Sequence, residues 1–216
     1  HPDEARQFRA LSMMDENGNI PADGLFTAAQ QMNDMRLQQG NNPQAITSAG
    51  WTWIGPGNIG GRVRSIIIHP ADPNIMWAGS VTGGVWKTTN GGTSWQILTD
   101  FMSNMAVTTM VMDPTNPDIL YAGTGEGFTF NREISEPLGG GVFKTTDGGA
   151  TWTQLASTNN SNWHFVNRLA INPSNSQIML AATYTGLWRS TDGGTSWTSV
   201  LSGYMGDVNF NPSDGN

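Results

Sequence analysis

One short turn recurs three times in the sequence, and two of its copies carry a carboxylate that could take part in catalysis or bind a metal ion. The three copies read TTNGGTSW at 88–95, TTDGGATW at 145–152 and STDGGTSW at 190–197. Asp147 and Asp192 could act as catalytic acids or as calcium ligands. The first copy has Asn90 at that position. An amide keeps a hydrogen-bond acceptor but loses the charge that either chemistry would use, so the pattern favours a structural role and leaves calcium open.

A β-hairpin explains every residue type in this turn. The two glycines can take positive φ between twisted strands, and the Asp or Asn side chain can accept backbone N–H groups one to three residues on. The closing Trp offers a large apolar face to a neighbouring sheet. The residues expected to hold the three turns are Asn90, Gly92, Trp95, Asp147, Gly149, Trp152, Asp192, Gly194 and Trp197.

Binding residues are expected where the repeat is interrupted. The second unit inserts TFNREISEPLG within residues 124–139, and long loops on rigid scaffolds tend to carry binding residues. The acidic groups there could also bind calcium, and a solvated loop or a packed flap is the alternative. The candidate binding residues are Arg62, Arg64, Glu126, Asn131, Arg132, Glu133, Trp163 and His164. His69 is instead predicted to hold a turn.

The spacing of these motifs predicts the architecture. Units at about 62–100, 105–157 and 165–202 each parse into four short strands, and a fourth unit begins at 206–216. Four antiparallel strands repeated radially indicate an all-β protein, a β-propeller. The alternative is a β-sandwich, which would not explain the same turn chemistry at the same place in every unit.

Three blades and part of a fourth cannot close a ring, since propellers need about four to eight. We therefore expect the N-terminal fragment of a longer chain. Residues 49–57 (AGWTWIGPG) resemble a fourth strand that could close the ring, within a propeller region spanning 49–216. Residues 1–48 have helix-forming composition interrupted by DENGNIP, which predicts two short helices and a polar linker.

The composition of the chain limits the classes of binding partner and the cellular locations that are expected. The chain has 216 residues, a net charge of −7 and only 10 scattered Lys and Arg, which argues against nucleic-acid binding. No apolar run reaches the roughly 18 residues of a membrane span, so no membrane insertion is predicted. Cysteine is absent and His numbers 3, so no zinc or thiolate metal site is predicted, and no cofactor is predicted beyond the calcium left open above. The chain starts at His1, which we interpret as a removed signal peptide.

The repeated turn resembles the Asp-box, or BNR repeat, of sialidases, the sortilin family, xyloglucanase-like hydrolases and photosystem II assembly factors. The opening WTWIGPGNIGGRVRSIIIHPADPNIMWAGSVTGGVWKTTNGGTSW is similar to that of large propeller proteins exported by Bacteroidota. Many of those proteins carry a sorting domain for the type IX secretion system. The resemblance covers about residues 50–216 and implies the fold, while the same propeller hosts hydrolases, receptors and inert modules.

The resemblance also allows two enzyme classes to be compared with the chain. A sialidase would need an arginine cluster and an Arg-Ile-Pro motif. The motif is missing from this sequence, and Arg62 and Arg64 are the only close arginine pair in the propeller. Xyloglucanase-like hydrolases carry a catalytic Asp in a first-blade string like ARTDxGG. The matching string here is AGSVTGG, with Val81 in place of the Asp. Valine can neither donate nor accept a proton, so a two-carboxylate mechanism lacks a partner at that position.

The sequence thus predicts a secreted or cell-surface propeller that acts as a non-catalytic binding, adhesion or scaffold module. Its expected ligand is a glycan or a protein at the propeller mouth, and a secretion or surface complex is the other predicted partner. The alternative is a glycoside hydrolase, xyloglucanase-like or sialidase-like, with catalytic carboxylates mostly beyond residue 216.

Overall fold

The structure, a computed structural model, describes residues 62–98, 106–127 and 138–211, together with 14–19 and the helical positions 11, 27, 31, 34 and 35. The predicted closing strand at 49–57 and most of the predicted helical segment 1–48 lie outside the described residues. The same holds for Asn131, Arg132 and Glu133. Residues 206–211, where a fourth blade is predicted to begin, carry no regular strand.

The described chain forms three four-stranded sheets, one for each repeat, with antiparallel strands in chain order. The first blade contains β1 (Val63–Ile68), β2 (Met76–Ser80), β3 (Gly84–Thr88) and β4 (Gln96–Ile97). The second contains β5 (Val107–Met112), β6 (Leu120–Thr124), β7 (Val142–Thr145) and β8 (Thr153–Gln154). The third contains β9 (Val166–Asn172), β10 (Asn175–Thr183), β11 (Gly186–Ser190) and β12 (Thr198–Ser202). The all-β, propeller-type prediction is confirmed.

One side chain closes the first turn of every blade. His69, Asp113 and Asn172 each follow or end the first strand, and each accepts the backbone N–H two residues on, at 3.2, 2.8 and 2.8 Å. An imidazole nitrogen, a carboxylate and an amide oxygen are interchangeable here because the turn needs only an acceptor. His69 is therefore the turn residue that the sequence predicts.

The hydrophobic core lies between blades, because each sheet buries its faces against its neighbours. The first cluster joins blades 1 and 2 and contains Trp77, Val85, Val107, Met110, Leu120, Ala122 and Phe143. The second joins blades 2 and 3 and contains Tyr121, Val142, Trp163, Val166, Leu169, Met179 and Ala181. Successive residues of one strand point to opposite faces of the sheet, so Leu120 belongs to the first cluster and Tyr121 to the second.

The meander gives each blade two unlike ends. The turns that join the first strand to the second, and the third to the fourth, lie at one end, which we call the box end because it carries the three repeated turns. The connection from the second strand to the third, and the chain that leads to the next blade, lie at the opposite end. We call this the mouth end.

Candidate functional site

At the box end, each carboxylate is bound within its own hairpin. Asp147 accepts hydrogen bonds from Thr151 N at 2.9 Å, from Thr151 Oγ1 at 2.6 Å and from Thr145 Oγ1 at 2.6 Å. These bonds, with the Thr145 hydroxyl contributing most, lower the pKa of Asp147 to about 2. Asp192 makes the same bonds to Ser196 and Ser190, and its pKa is also lowered. Both oxygens of each carboxylate are thus engaged by the turn.

Asn90 reproduces this network without a charge. Its Oδ1 accepts from Ser94 N at 2.9 Å and from Thr88 Oγ1 at 2.9 Å, while its Nδ2 donates to Ser94 Oγ at 2.9 Å. The hairpin therefore needs an acceptor of this shape and not an anion. The geometry fits the structural role predicted for the box residues.

The second and third boxes also receive a hydrogen bond from the preceding blade, which the sequence analysis missed. Trp77 Nε1 donates to the carbonyl oxygen of Gly148 at 2.9 Å, and the Tyr121 hydroxyl donates to that of Gly193 at 3.2 Å. Trp77 and Tyr121 are the equivalent residues of β2 and β6. The signal available in the sequence was an aromatic residue with an N–H or O–H donor at the same position of the second strand in both blades.

Side-chain packing reinforces each of these inter-blade contacts. A Cβ at Gly149 would lie 2.7 Å from Leu98 Cδ1, and one at Gly194 would lie 2.8 Å from Leu155 Cδ1. The second glycine of a box is therefore a close-approach position for the leucine that follows the preceding blade's fourth strand, besides adopting a positive φ. The box end is a joint between blades.

Each blade has an equivalent position at the mouth end, and a different residue type occupies this position in each of the three blades. The N–H groups of Val81, Gly125 and Tyr184 donate to the residue that precedes the first strand of the same blade, at 3.1, 2.8 and 3.2 Å. Val81, which stands where the xyloglucanase resemblance expects an Asp, is 1% exposed. None of these three residues carries a carboxylate.

A charged cluster lies next to this position in blade 2. Glu126 forms an ion pair with Arg62, and its Oε1 lies 4.0 Å from Arg64 Nη1. The Glu126 side chain is 12% exposed, whereas those of Arg64 and Arg62 are 33% and 59% exposed. The structure thus brings together three of the predicted binding residues, across the junction of blades 1 and 2.

An aromatic row continues the same end into blade 3. The ring centroids of Phe165 and Tyr184 lie 5.9 Å apart, and those of Tyr184 and Tyr204 also lie 5.9 Å apart. A Cβ at Gly127 would lie 2.7 Å from Phe165 Cγ, so the row begins directly beside Glu126. Sequence reasoning missed Tyr184 and Tyr204. The available signal was TYTG, which begins at the last residue of β10 as SVTG begins at the last residue of β2.

Trp163 is buried in the core rather than at the mouth, whereas His164 beside it is half-buried. Trp163 ends a short 3₁₀ helix (Ser161–Trp163) and is 2% exposed. Its indole packs 5.5 Å from the Trp188 ring and 4.9 Å from the Trp197 ring, so its role is packing in the second core cluster. His164 follows that helix half-buried, and its backbone carbonyl accepts from Gly139 N at 2.7 Å.

No group of three or more His, Cys, Asp or Glu side chains within the described residues is placed to hold a metal ion. No helix in that same part of the chain has both the length and the apolar character to cross a membrane.

Curated relatives of this chain are xyloglucanases. It is 31% identical over 147 residues to the xyloglucanase of Hypocrea jecorina, covering 63% of this chain and 17% of the relative. It is 30% identical over 154 residues to the xyloglucanase of a Paenibacillus species, covering 66% of this chain and 15% of the relative. The chain therefore spans less than a fifth of the length of these relatives.

Solved structures share the fold. The GH74 enzyme of Niastella koreensis superposes with a TM-score of 0.50 at 27% identity, over 73% of this chain and 23% of that one. An ancestral GH74 enzyme gives a TM-score of 0.53 at 23% identity, over 67% of this chain and 19% of that one. The family model for Sortilin-Vps10 (sortilin, neurotensin receptor 3) matches residues 83–215. With more than half of its residues matched, the chain belongs to the Sortilin-Vps10 family.

Proposed function

We propose that these blades form part of the glycan-binding face of an exported glycoside hydrolase that acts on xyloglucan or a similar polysaccharide. The observation that carries the proposal is the similarity to xyloglucanases over about two thirds of the chain. It favours the glycoside hydrolase alternative over the non-catalytic module that the sequence alone predicts. The active protein is proposed to be longer than these 216 residues.

The mouth end supports glycan binding by its chemistry. Guanidinium and carboxylate groups form charge-assisted hydrogen bonds with hydroxyls, and Arg62, Arg64 and Glu126 present both kinds side by side. Aromatic rings offer apolar faces and edges to the C–H groups of sugars, and Tyr184 and Tyr204 lie half-buried in the adjacent row. A few directed polar groups beside aromatic surface are typical of ligand sites.

We assign these residues to substrate positioning rather than to bond cleavage. Glycoside hydrolysis uses two carboxylates on opposite sides of the scissile bond. The first-blade position that would supply one is the buried Val81. Glu126 is held by Arg62 and Arg64 of blade 1, which suits an orienting group that accepts sugar hydroxyls. The catalytic pair is therefore proposed to lie outside the described blades.

A non-catalytic binding module is the second candidate, and Val81 is the observation that favours it. Both candidates place the protein outside the cell, because a polysaccharide is too large to reach an enzyme that is not exported. Export through the type IX system and an additional protein partner remain predictions from the resemblance.

The test is to incubate the full-length protein with xyloglucan and to measure reducing ends released, with an unsubstituted β-glucan and a mannan as controls. Selective hydrolysis of xyloglucan supports the enzyme. Selective binding without hydrolysis, measured by affinity electrophoresis in the same polysaccharides, supports the second candidate. The absence of both binding and hydrolysis would overturn the proposal.

A further inference from the structure

The sequence contains two Asn-Gly dipeptides, Asn17-Gly18 and Asn90-Gly91, and all four residues are exposed. Such a dipeptide can modify itself. The glycine nitrogen attacks the side-chain amide carbon of the asparagine, the amide nitrogen leaves as ammonia with the proton of the glycine N–H, and a succinimide ring closes. Water then opens the ring to aspartate or isoaspartate. Glycine favours this reaction because it has no Cβ to crowd the ring and a freely rotating backbone.

The first dipeptide lies in an exposed turn that leaves its amide group unbound. The turn is held by its backbone: Asp15 Oδ1 accepts from Asn17 N at 2.9 Å and from Asn19 N at 2.8 Å. The side-chain amide of Asn17 makes no hydrogen bond with any described residue. Around Gly18, which has φ of +78°, no atom of the described residues lies within 4 Å of the position of a Cβ. The amide is therefore free to turn towards Gly18 N, and there is room for the ring.

The second dipeptide lies in the first box, where the same group is held on both sides. Asn90 Oδ1 accepts from Ser94 N and Thr88 Oγ1, and its Nδ2 donates to Ser94 Oγ. The attacking atom, Gly91 N, donates to the carbonyl oxygen of Asn74 at 3.0 Å. Ring closure here must break these bonds, so it needs a local opening of the hairpin. Exposure and sequence are thus alike at the two sites, and only the hydrogen bonds of the side chain differ.

We propose that Asn17 is a site of spontaneous deamidation in the folded protein, and that the hydrogen bonds of the first box protect Asn90 from the same reaction. Water is the only co-reactant. The product adds a carboxylate beside Asp15 and Glu16 and, as isoaspartate, one more carbon to the backbone of the turn. This site lies outside the mouth end and does not depend on the proposed glycan binding.

The test incubates the full-length protein in mildly alkaline buffer, once folded and once in urea, and follows both peptides by mass spectrometry. The conversion of an amide into a carboxyl group raises the mass of a peptide, and enzymatic methylation detects isoaspartate. In urea both sites are expected to react, because neither is held by the fold. In the folded protein Asn17 should keep nearly its rate in urea, and Asn90 should react at least about tenfold more slowly than it does in urea.

Two results would overturn the proposal: no modification of Asn17 in the folded protein, or modification of Asn90 at its rate in urea. Both are read from the wild-type chain, so they do not depend on whether a variant folds.

Thr88→Val tests the source of the protection. It removes the hydroxyl that donates to Asn90 Oδ1 at 2.9 Å and accepts from Gly92 N at 3.0 Å, while it keeps a branched side chain of similar size. Deamidation of Asn90 should become about tenfold faster, and that of Asn17 should not change. Thr145→Val, the same change in the second box, is the matched control and should leave Asn90 protected. An unchanged rate at Asn90 in Thr88→Val would contradict protection by the box.

Discussion

The box end and the mouth end of this propeller differ in how their residues repeat. At the box end, Asn90, Asp147 and Asp192 accept the equivalent backbone N–H in three blades, and an uncharged side chain forms this turn as well as a charged one does. At the mouth end, the equivalent positions hold valine, glycine and tyrosine. The residues that repeat are thus those that hold the turns of the fold. At the mouth end the side chains differ between blades while the backbone hydrogen bond stays the same. Such a position is where side chains can differ to suit a ligand.

The two ends also differ in where their carboxylates find partners. Asp147 is bound by two threonines of its own hairpin, so its acceptor capacity is used locally. Glu126 is bound by arginines from another blade, and Arg62 is still 59% exposed. A sugar hydroxyl could therefore join the Glu126 cluster without breaking a turn.

The largest effect is expected from Gly125→Ala, which tests whether the mouth end rests on a rigid backbone. Gly125 has φ of +88°, and a Cβ there would overlap the carbonyl oxygen of His164 and lie 2.6 Å from Gly139 N. Strain and overlap together should lower the free energy of unfolding by about 3 kcal/mol. Urea denaturation measures this loss.

Gly203→Ala is the matched control. Gly203 has φ of +105°, but no atom lies within 4 Å of the position of its Cβ. Its cost should be about 1 kcal/mol, from the backbone alone. Equal losses for the two variants would mean that close packing does not fix the mouth-end connections.

The next effect is expected from Tyr121→Phe, which tests the box end as a joint. The change removes only the hydroxyl that donates to Gly193 at 3.2 Å. It should lower the free energy of unfolding by about 1 kcal/mol. Tyr121→Leu introduces the residue that blade 3 has at this position, because Leu180 pairs with Arg189 as Tyr121 pairs with Lys144. This variant should cost more, because it also removes the contact between the Tyr121 ring and Lys144 Nζ at 5.2 Å. If Tyr121→Phe is as stable as the wild type, the hydrogen bond to Gly193 does not help to join blades 2 and 3.

A smaller effect is expected when the box carboxylate is titrated. The pKa of Asp147 is about 2 in the folded protein, below the ordinary value of 3.8. Its contribution is therefore present above about pH 4 and is lost as the pH falls towards 2. The loss should stay below about 1 kcal/mol because the carboxylate is exposed and screened.

Asp147→Asn imitates Asn90 and should remove this acid dependence while keeping the hairpin. Thermal unfolding of both proteins between pH 2 and pH 7 gives the comparison. The difference between wild type and variant should shrink in acid. A constant difference across this range would show that the charge of Asp147 plays no part in stability.

The sequence predicted the box end better than the mouth end, for a physical reason. The bonds of a hairpin join residues only two to four positions apart, so the short motifs around Asn90 and Asp147 are enough to predict them. The joint between blades is not local, since Trp77 and Gly148 lie 71 residues apart. The mouth end depends on irregular connections that no strand pattern encodes. Arg62, Arg64 and Glu126 were predicted separately as binding residues, and the structure brings them together. Trp163 is instead buried in the core, and the Tyr184–Tyr204 contact was missed.

The smallest effect on stability is expected from Arg62→Ala at the mouth end. The side chain is 59% exposed, and Glu126 keeps Arg64 as a neighbour. The free energy of unfolding should change by less than about 0.5 kcal/mol. A large loss in urea denaturation would mean that the cluster serves to hold blades 1 and 2 together.

The most direct test compares one variant from each end for glycan binding. Calorimetric titration of the full-length protein with a xyloglucan oligosaccharide should show about a tenfold loss of affinity for Glu126→Gln, because a charge-assisted hydrogen bond is removed. Asp147→Asn should bind as the wild type does. Equal affinity for all three proteins, or a loss confined to Asp147→Asn, would contradict the assignment of binding to the mouth end.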